Sequence, residues 1–288
     1  SDRFTRPGPG VRPDAPRKKG VARLAEIMGR DMWNFFRAGF LAFLGCLPFI
    51  IGMFFAVETH ALLFMLLAGI IGGLIAGPEL SAMADTVLRS LRDEPGYWWE
   101  TYRRVWKRNA RESLVPGMLT GLVLSMQIFT LFHMSVISAG IVTWVLLILS
   151  FVVTLGLESY IWPQIALLDL PLYGILKNSL LLFLGYLPRS LGAIAIKAVY
   201  WGAILLFFPL TTIILPFTNF WLPMLPALLC IYQPLNKCFT IESTINKMRE
   251  DELNAALAKD NEPLPEDPTE KAEESTDCLL YTSDAADD

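Results

Sequence analysis

The sequence predicts an all-α fold, a polytopic membrane helical bundle with six transmembrane helices and both termini cytoplasmic. Three observations predict it. The chain is 53% hydrophobic, with 18 Phe and 8 Trp, and breaks into apolar runs of roughly 16 to 24 residues separated by polar clusters. A hydrocarbon core about 30 Å thick takes about 20 helical residues at 1.5 Å rise, so most runs are long enough to cross. The runs lack the period-two alternation of a membrane β-barrel. Finally, the gaps 58–60, 133–138 and 209–219 contain no Lys or Arg, whereas 3–37, 89–111, 177–189 and the tail from 237 hold all of them except Lys197. Short loops rich in Lys and Arg stay cytoplasmic.

Residues 1–37 read as a basic cytoplasmic arm, Pro-rich and extended over 7–17, with helical spacing resuming at 19–30 as an amphipathic helix on the inner surface. The transmembrane domain covers 38–235. Its first span, 38–57, has Trp33 and Arg37 at the inner rim, where an indole prefers the interface and a guanidinium reaches headgroups. The second, 61–80, carries Gly69, Gly73 and Gly77 on one face, and the third, 114–132, repeats the interval with Gly117 and Gly121. Such faces admit a second helix to backbone contact, within the chain or across a dimer interface. Between them, 81–113 reads as a cytoplasmic loop.

The fourth span, 139–162, bears a polar stripe of Thr143, Ser150, Thr154 and Glu158, which belongs against the bundle interior. The fifth, 191–208, contains Lys197, and the sixth, 220–235, is interrupted by Pro223 and Pro226. Residues 209–218 are too apolar for a free loop and predict a kinked hairpin or half-buried outer segment. The short apolar stretch 180–187 reads as an interfacial helix; as a seventh span it would move the tail outside. Residues 236–277 form an acidic, largely disordered tail after helical spacing to about 258. The chain begins without Met, as a truncated sequence would, and 278–288 resemble a translated sequencing adapter and carry no structural weight. The basic arm enters a full-length apolar run without a small-residue cleavage site, which predicts an uncleaved anchor.

The net charge of −4 averages a basic arm against an acidic tail. Four Cys without C-x-x-C spacing support neither a disulfide framework nor a metal site, and His60 and His133 read as separate surface residues at the outer edge. P-loop, dinucleotide and nucleophile motifs are absent, so no enzyme, cofactor or nucleic-acid partner is expected.

Two constellations stand out. Glu158 and Lys197 lie at similar depth on helices expected to be adjacent, as part of a polar pathway or as a packing pair. In the segment 97–111, Trp98, Tyr102 and Trp106 share a helical face flanked by Arg103, Arg104, Lys107, Arg108 and Arg111. An aromatic face with basic flanks suits docking to anionic lipid, or to a soluble partner or transporter subunit.

The segment Arg6, Pro7, Gly8, Pro9, Gly10, Val11 through Asp14, Ala15, Pro16, then Lys18, Lys19, Gly20 and Glu26, Ile27, resembles the YesL-like family of bacterial integral membrane proteins of unknown function. Ala76, Gly77, Pro78, then Val87, Leu88, Arg89, then 98–111, Leu187, Pro188, Arg189 and Gln233, Pro234, Leu235 fit the same layout, so the resemblance covers 6–247. It implies a multi-pass plasma-membrane protein whose relatives are often encoded near carbohydrate uptake genes. The function expected from it is a non-enzymatic accessory or scaffold protein linked to a carbohydrate transporter; the alternative is a small solute transporter or channel with a polar pathway along the fourth to sixth helices.

Overall fold

The computed structural model describes residues 17–94, 96–134, 136 and 140–260. The Pro-rich part of the arm up to 16, the tail from 261 and the adapter-like end lie outside the described residues. The described chain is all helix and turn. Helix α1 runs Gly20–Thr59, α2 Leu62–Leu91 with a π-turn at Ala68–Gly72, α3 Trp98–His133 and α4 Ile141–Leu167. There follow α5 (Leu172–Gly185), α6 (Leu187–Leu206), α7 (Thr211–Thr218) and α8 (Trp221–Phe239). The chain from Glu242 onward forms a second unit, whose described part is most of the helix α9, Ile241–Asp260.

Five helices, α1, α2, α3, α4 and α6, are long and apolar enough to cross a membrane. The chain therefore has the makeup of a multi-pass membrane protein. Helix α8 is not among the five: its second half carries Gln233, Asn236 and Lys237, which lower its hydropathy.

Two expectations are corrected by helix continuity. The amphipathic helix at 19–30 and the first span are one 40-residue helix with Pro48 inside it. The expected loop 81–113 is mostly helix, the turn between α2 and α3 being confined to 92–97. A change from polar to apolar composition alters a helix's surroundings and leaves its backbone hydrogen bonding intact; the break between α2 and α3 comes beside Gly96, at φ 153°.

Packing of α1, α2 and α3 rests on small residues. A Cβ on Gly73 would strike the Gly117 carbonyl oxygen, and one on Gly121 the Gly69 carbonyl oxygen, so α2 and α3 touch backbone to backbone. Gly77 meets the Ser113 carbonyl in the same way. On the other side of α2, a Cβ on Gly72 would lie 2.5 Å from Phe49 Cβ of α1, and one on Gly52 of α1 2.7 Å from Ala68 Cβ. Both glycine faces are thus used within the chain.

Helix α4 divides the bundle into two halves. From 141 to 149 almost every residue is exposed, whereas Ser159 to Ala166 are all buried. Helices α2, α3, α5, α6 and α8 all pack on α4. Gln164 donates to Ser179 Oγ of α5 at 2.8 Å, Gly156 meets the Phe183 ring, and Tyr160 shares a 2.8 Å hydrogen bond with Ser190 of α6. Helices α6 and α8 run antiparallel, Trp201 lying against Phe220 at one end and Tyr186 against Cys238 at the other. Their connection is seated on α1: a Cβ on Gly39 would meet Asn219, and Trp221 stacks on Phe35 at 6.0 Å. This corrects the grouping of 209–219 with the gaps around His60 and His133. The interfacial helix expected at 180–187 starts instead at Leu172 and runs back along α4, so α6 begins part-way along the bundle and returns toward Arg37.

Candidate functional site

The basic end of the bundle is an ion-paired turn. Asp93, at φ 59°, binds Arg23 at 2.7 Å, Arg17 at 3.1 Å and also Arg30. The same arginines satisfy the last carbonyls of α2: Arg23 donates to Leu91 O at 3.1 Å and Arg30 to Ser90 O at 2.7 Å. A helix C-terminus carries partial negative charge and free carbonyls, which cations of a neighbouring helix cap well. Asp31 accepts from Ser90 Oγ, and Arg89 bridges Asp85 at 2.6 Å and Glu94 at 3.4 Å. Partial burial opposes ionisation of Asp93, but hydrogen bonds from Arg30 and Arg23 and their charges outweigh it and hold the carboxyl below the usual carboxylate range.

The aromatic face of α3 turns inward. Tyr102 is buried and donates to Glu79 Oε2 of α2 at 2.5 Å, and Trp106 donates to Glu79 Oε1 at 2.9 Å. Trp98 lies beneath the Arg37 guanidinium, 5.7 Å from its ring centroid, and its indole N–H is buried without a partner among the described residues. The surface helix expected here is the first part of α3, and these rings face protein because Glu79 offers two acceptor oxygens at their level. A cavity of about 60 Å³ opens beside Phe35, Arg89, Trp98 and Tyr102. Of the basic residues, Arg108 donates to Ala166 O at the end of α4 at 2.8 Å. Arg103, Arg104, Lys107 and Arg111 remain on an exposed face, Arg104 in a 3.4 Å pair with Glu100.

Glu158 and Lys197 lie within electrostatic reach of each other. Lys197 is buried, yet the two charges form no direct ion pair among the described residues. Glu79 of α2 packs against α1, where a Cβ on Gly45 would lie 2.6 Å from its Cγ. The polar stripe of α4 meets α3, Gln127 of α3 donating to Thr154 Oγ1 at 2.8 Å and to Ser150 Oγ at 3.1 Å. Arg37 and Thr154 belong to these other neighbourhoods, with no bond to the Glu158 pair among the described residues.

His60 and His133 meet, which corrects their reading as separate surface residues. His60 Nδ1 lies 2.7 Å from His133 Nε2, and the rings cross at 81°. They stand 73 residues apart, on the α1–α2 turn and at the end of α3. The signal available was parity alone: two adjacent outer turns each holding one His. Comparison with protein families, with curated proteins and with solved structures finds no match.

Proposed function

We propose that this is a multi-pass protein of the bacterial plasma membrane, YesL-like, with its basic end and both termini in the cytoplasm. It acts as a non-enzymatic accessory or scaffold protein that docks a partner, of the kind a carbohydrate transporter subunit would provide. The observation that carries this reading is surplus helix length. At 1.5 Å per residue α1 and α3 are about 60 and 54 Å long, against a hydrocarbon core of about 30 Å. Their ends are flush at His60 and His133, so the surplus emerges at the basic end, where Asp93 and its arginines tie α1 to the end of α2. A rigid platform of this kind exceeds what an anchor needs. Its exposed Arg103, Arg104, Lys107 and Arg111 suit an acidic protein surface. Purification in mild detergent tests the reading: a partner protein copurifies with the wild-type chain and is lost when these four residues are changed to Glu. Recovery of lipid alone from intact membranes would reject it.

The buried Lys197 within electrostatic reach of Glu158 favours a second reading, a small solute transporter or channel, because intramembrane charges mark ion and proton routes. Reconstituted vesicles decide it: a proton or solute flux abolished by Glu158→Gln supports transport, and vesicles as tight as protein-free ones exclude it.

A further inference from the structure

We propose that His60 and His133 form a binding site for a borderline divalent transition-metal cation of the Zn2+ and Cu2+ class, at the end of the bundle opposite the arginine platform. Proton placement leads to it. His133 Nδ1 lies 2.7 Å from Phe129 O. A carbonyl only accepts, so Nδ1 carries the proton, and in the neutral ring Nε2 presents a lone pair to His60. This second hydrogen bond, imidazole N–H to a backbone carbonyl, is the arrangement that fixes tautomer and ring direction in metal-ligating histidines.

The site is half built into the protein and half open. His133 is buried and stacks on Phe129 at 4.0 Å, which holds its ring still. His60 is exposed and sits at φ 53°, a left-handed conformation uncommon for a residue with a Cβ. It turns its ring back over the end of α3. In the metal-free pair His60 Nδ1 carries the shared proton. Its transfer to Nε2, with water as carrier, makes both facing nitrogens lone-pair donors without net charge change, and the cation replaces the proton between them. Tetrahedral Zn2+ with Zn–N of about 2.0–2.1 Å wants its two nitrogens about 3.3 Å apart, so the rings must part by about 0.6 Å. The exposed ring on the α1–α2 turn is the one free to move. Water completes the coordination sphere, and Glu58, exposed on the last turn of α1, is the only acidic side chain between Asp31 and Glu79. Residues 134–140 contain no Cys, His, Asp or Glu, so no other protein ligand comes from that loop.

The test uses the full chain in detergent, purified without a polyhistidine tag and titrated with Zn2+ by calorimetry, then with Cu2+ for electron paramagnetic resonance. One Zn2+ per chain is expected, with affinity lowered at least about tenfold in His60→Gln and in His133→Gln. Bound Cu2+ should show two equivalent-type nitrogen couplings in the wild type and one in His60→Gln. His60→Gln leaves the buried ring in place, so it bears the weight of the test if His133→Gln fails to fold. Unchanged Zn2+ affinity in His60→Gln, or no wild-type binding at submillimolar Zn2+, overturns the proposal.

Discussion

Glu79 is the residue on which two aromatic donors depend, and its substitution separates charge from hydrogen bonding. Glu79→Leu strands the Tyr102 hydroxyl and the Trp106 indole N–H, and a buried unsatisfied polar group costs about 1–3 kcal/mol. Glu79→Gln keeps an acceptor and should lose less; thermal unfolding in detergent compares the two, and equal losses would show that the charge itself matters. Glu158 and Lys197 act on each other without a direct ion pair among the described residues, so removing one should cost less than the about 3–5 kcal/mol of a broken buried pair, while removing both should recover part of the loss. Lys197→Leu should therefore destabilise more than the double change Lys197→Leu with Glu158→Leu, and additive losses would deny coupling. Asp93 supplies a pH dependence. Its folded pKa is depressed, so its contribution is fully present above the unfolded value of about 3.9 and is lost as pH falls through the lower folded value. Asp93→Asn should lower the melting temperature at neutral pH and flatten the acid limb below about pH 4. Legibility at this scale followed chemistry. A charge inside an apolar run announces itself, as Glu158 and Lys197 did. Glu79 stands at the end of such a run, and the His60–His133 contact is tertiary, so neither had a local signal.

At the level of helices, the glycine intervals were legible because close approach demands the absence of a Cβ at every fourth residue. Their test is direct. Gly73→Leu or Gly117→Leu would drive a side chain into the opposing backbone, where no rotamer change gives relief, and should abolish folded protein on size-exclusion chromatography. Gly192 has nothing within 4 Å of a Cβ, so Gly192→Ala should be neutral or gain up to about 1 kcal/mol from helix propensity. Equal tolerance at all three positions would contradict the packing described. Helix boundaries were less legible. The chain from Gly20 to Thr59 passes from charged to apolar composition near Arg37 with no interruption of the helix, and hydropathy reports that composition rather than the backbone. The extent of α5 was missed for a related reason: Lys177 and Asn178 interrupt its apolar run, though Ser179 one residue later is buried against Gln164 of α4.

For the whole molecule, two arguments about the C-terminal half pull in different directions. The α6–α8 connection is seated against Phe35 and Gly39, near Arg37, which sends α8 away from the basic end. The charge rule predicts instead that Lys237 stays on the same side of the membrane as the other Lys- and Arg-rich segments. The division of α4 reconciles them. Its contacts with α5 and α6 fall at 156–164, and the half toward His133 meets Gln127 of α3, so α5 to α8 form a shell around the half nearer the basic end. With the basic end cytoplasmic, as proposed above, a chain confined to that half would return to the same side without carrying Lys237 across, at the low cost of snorkelling rather than the several kcal/mol of full translocation. Cys238 is exposed, whereas Cys46 is buried, so thiol labelling reads the outcome. With Cys278 and Cys230 replaced by Ser, a membrane-impermeant maleimide added to intact cells should leave Cys238 unmodified, and should modify it once the cells are opened. Modification from outside would mean that α8 completes a crossing, that α5 counts as a further span, and that helix packing overrides the charge rule in this chain.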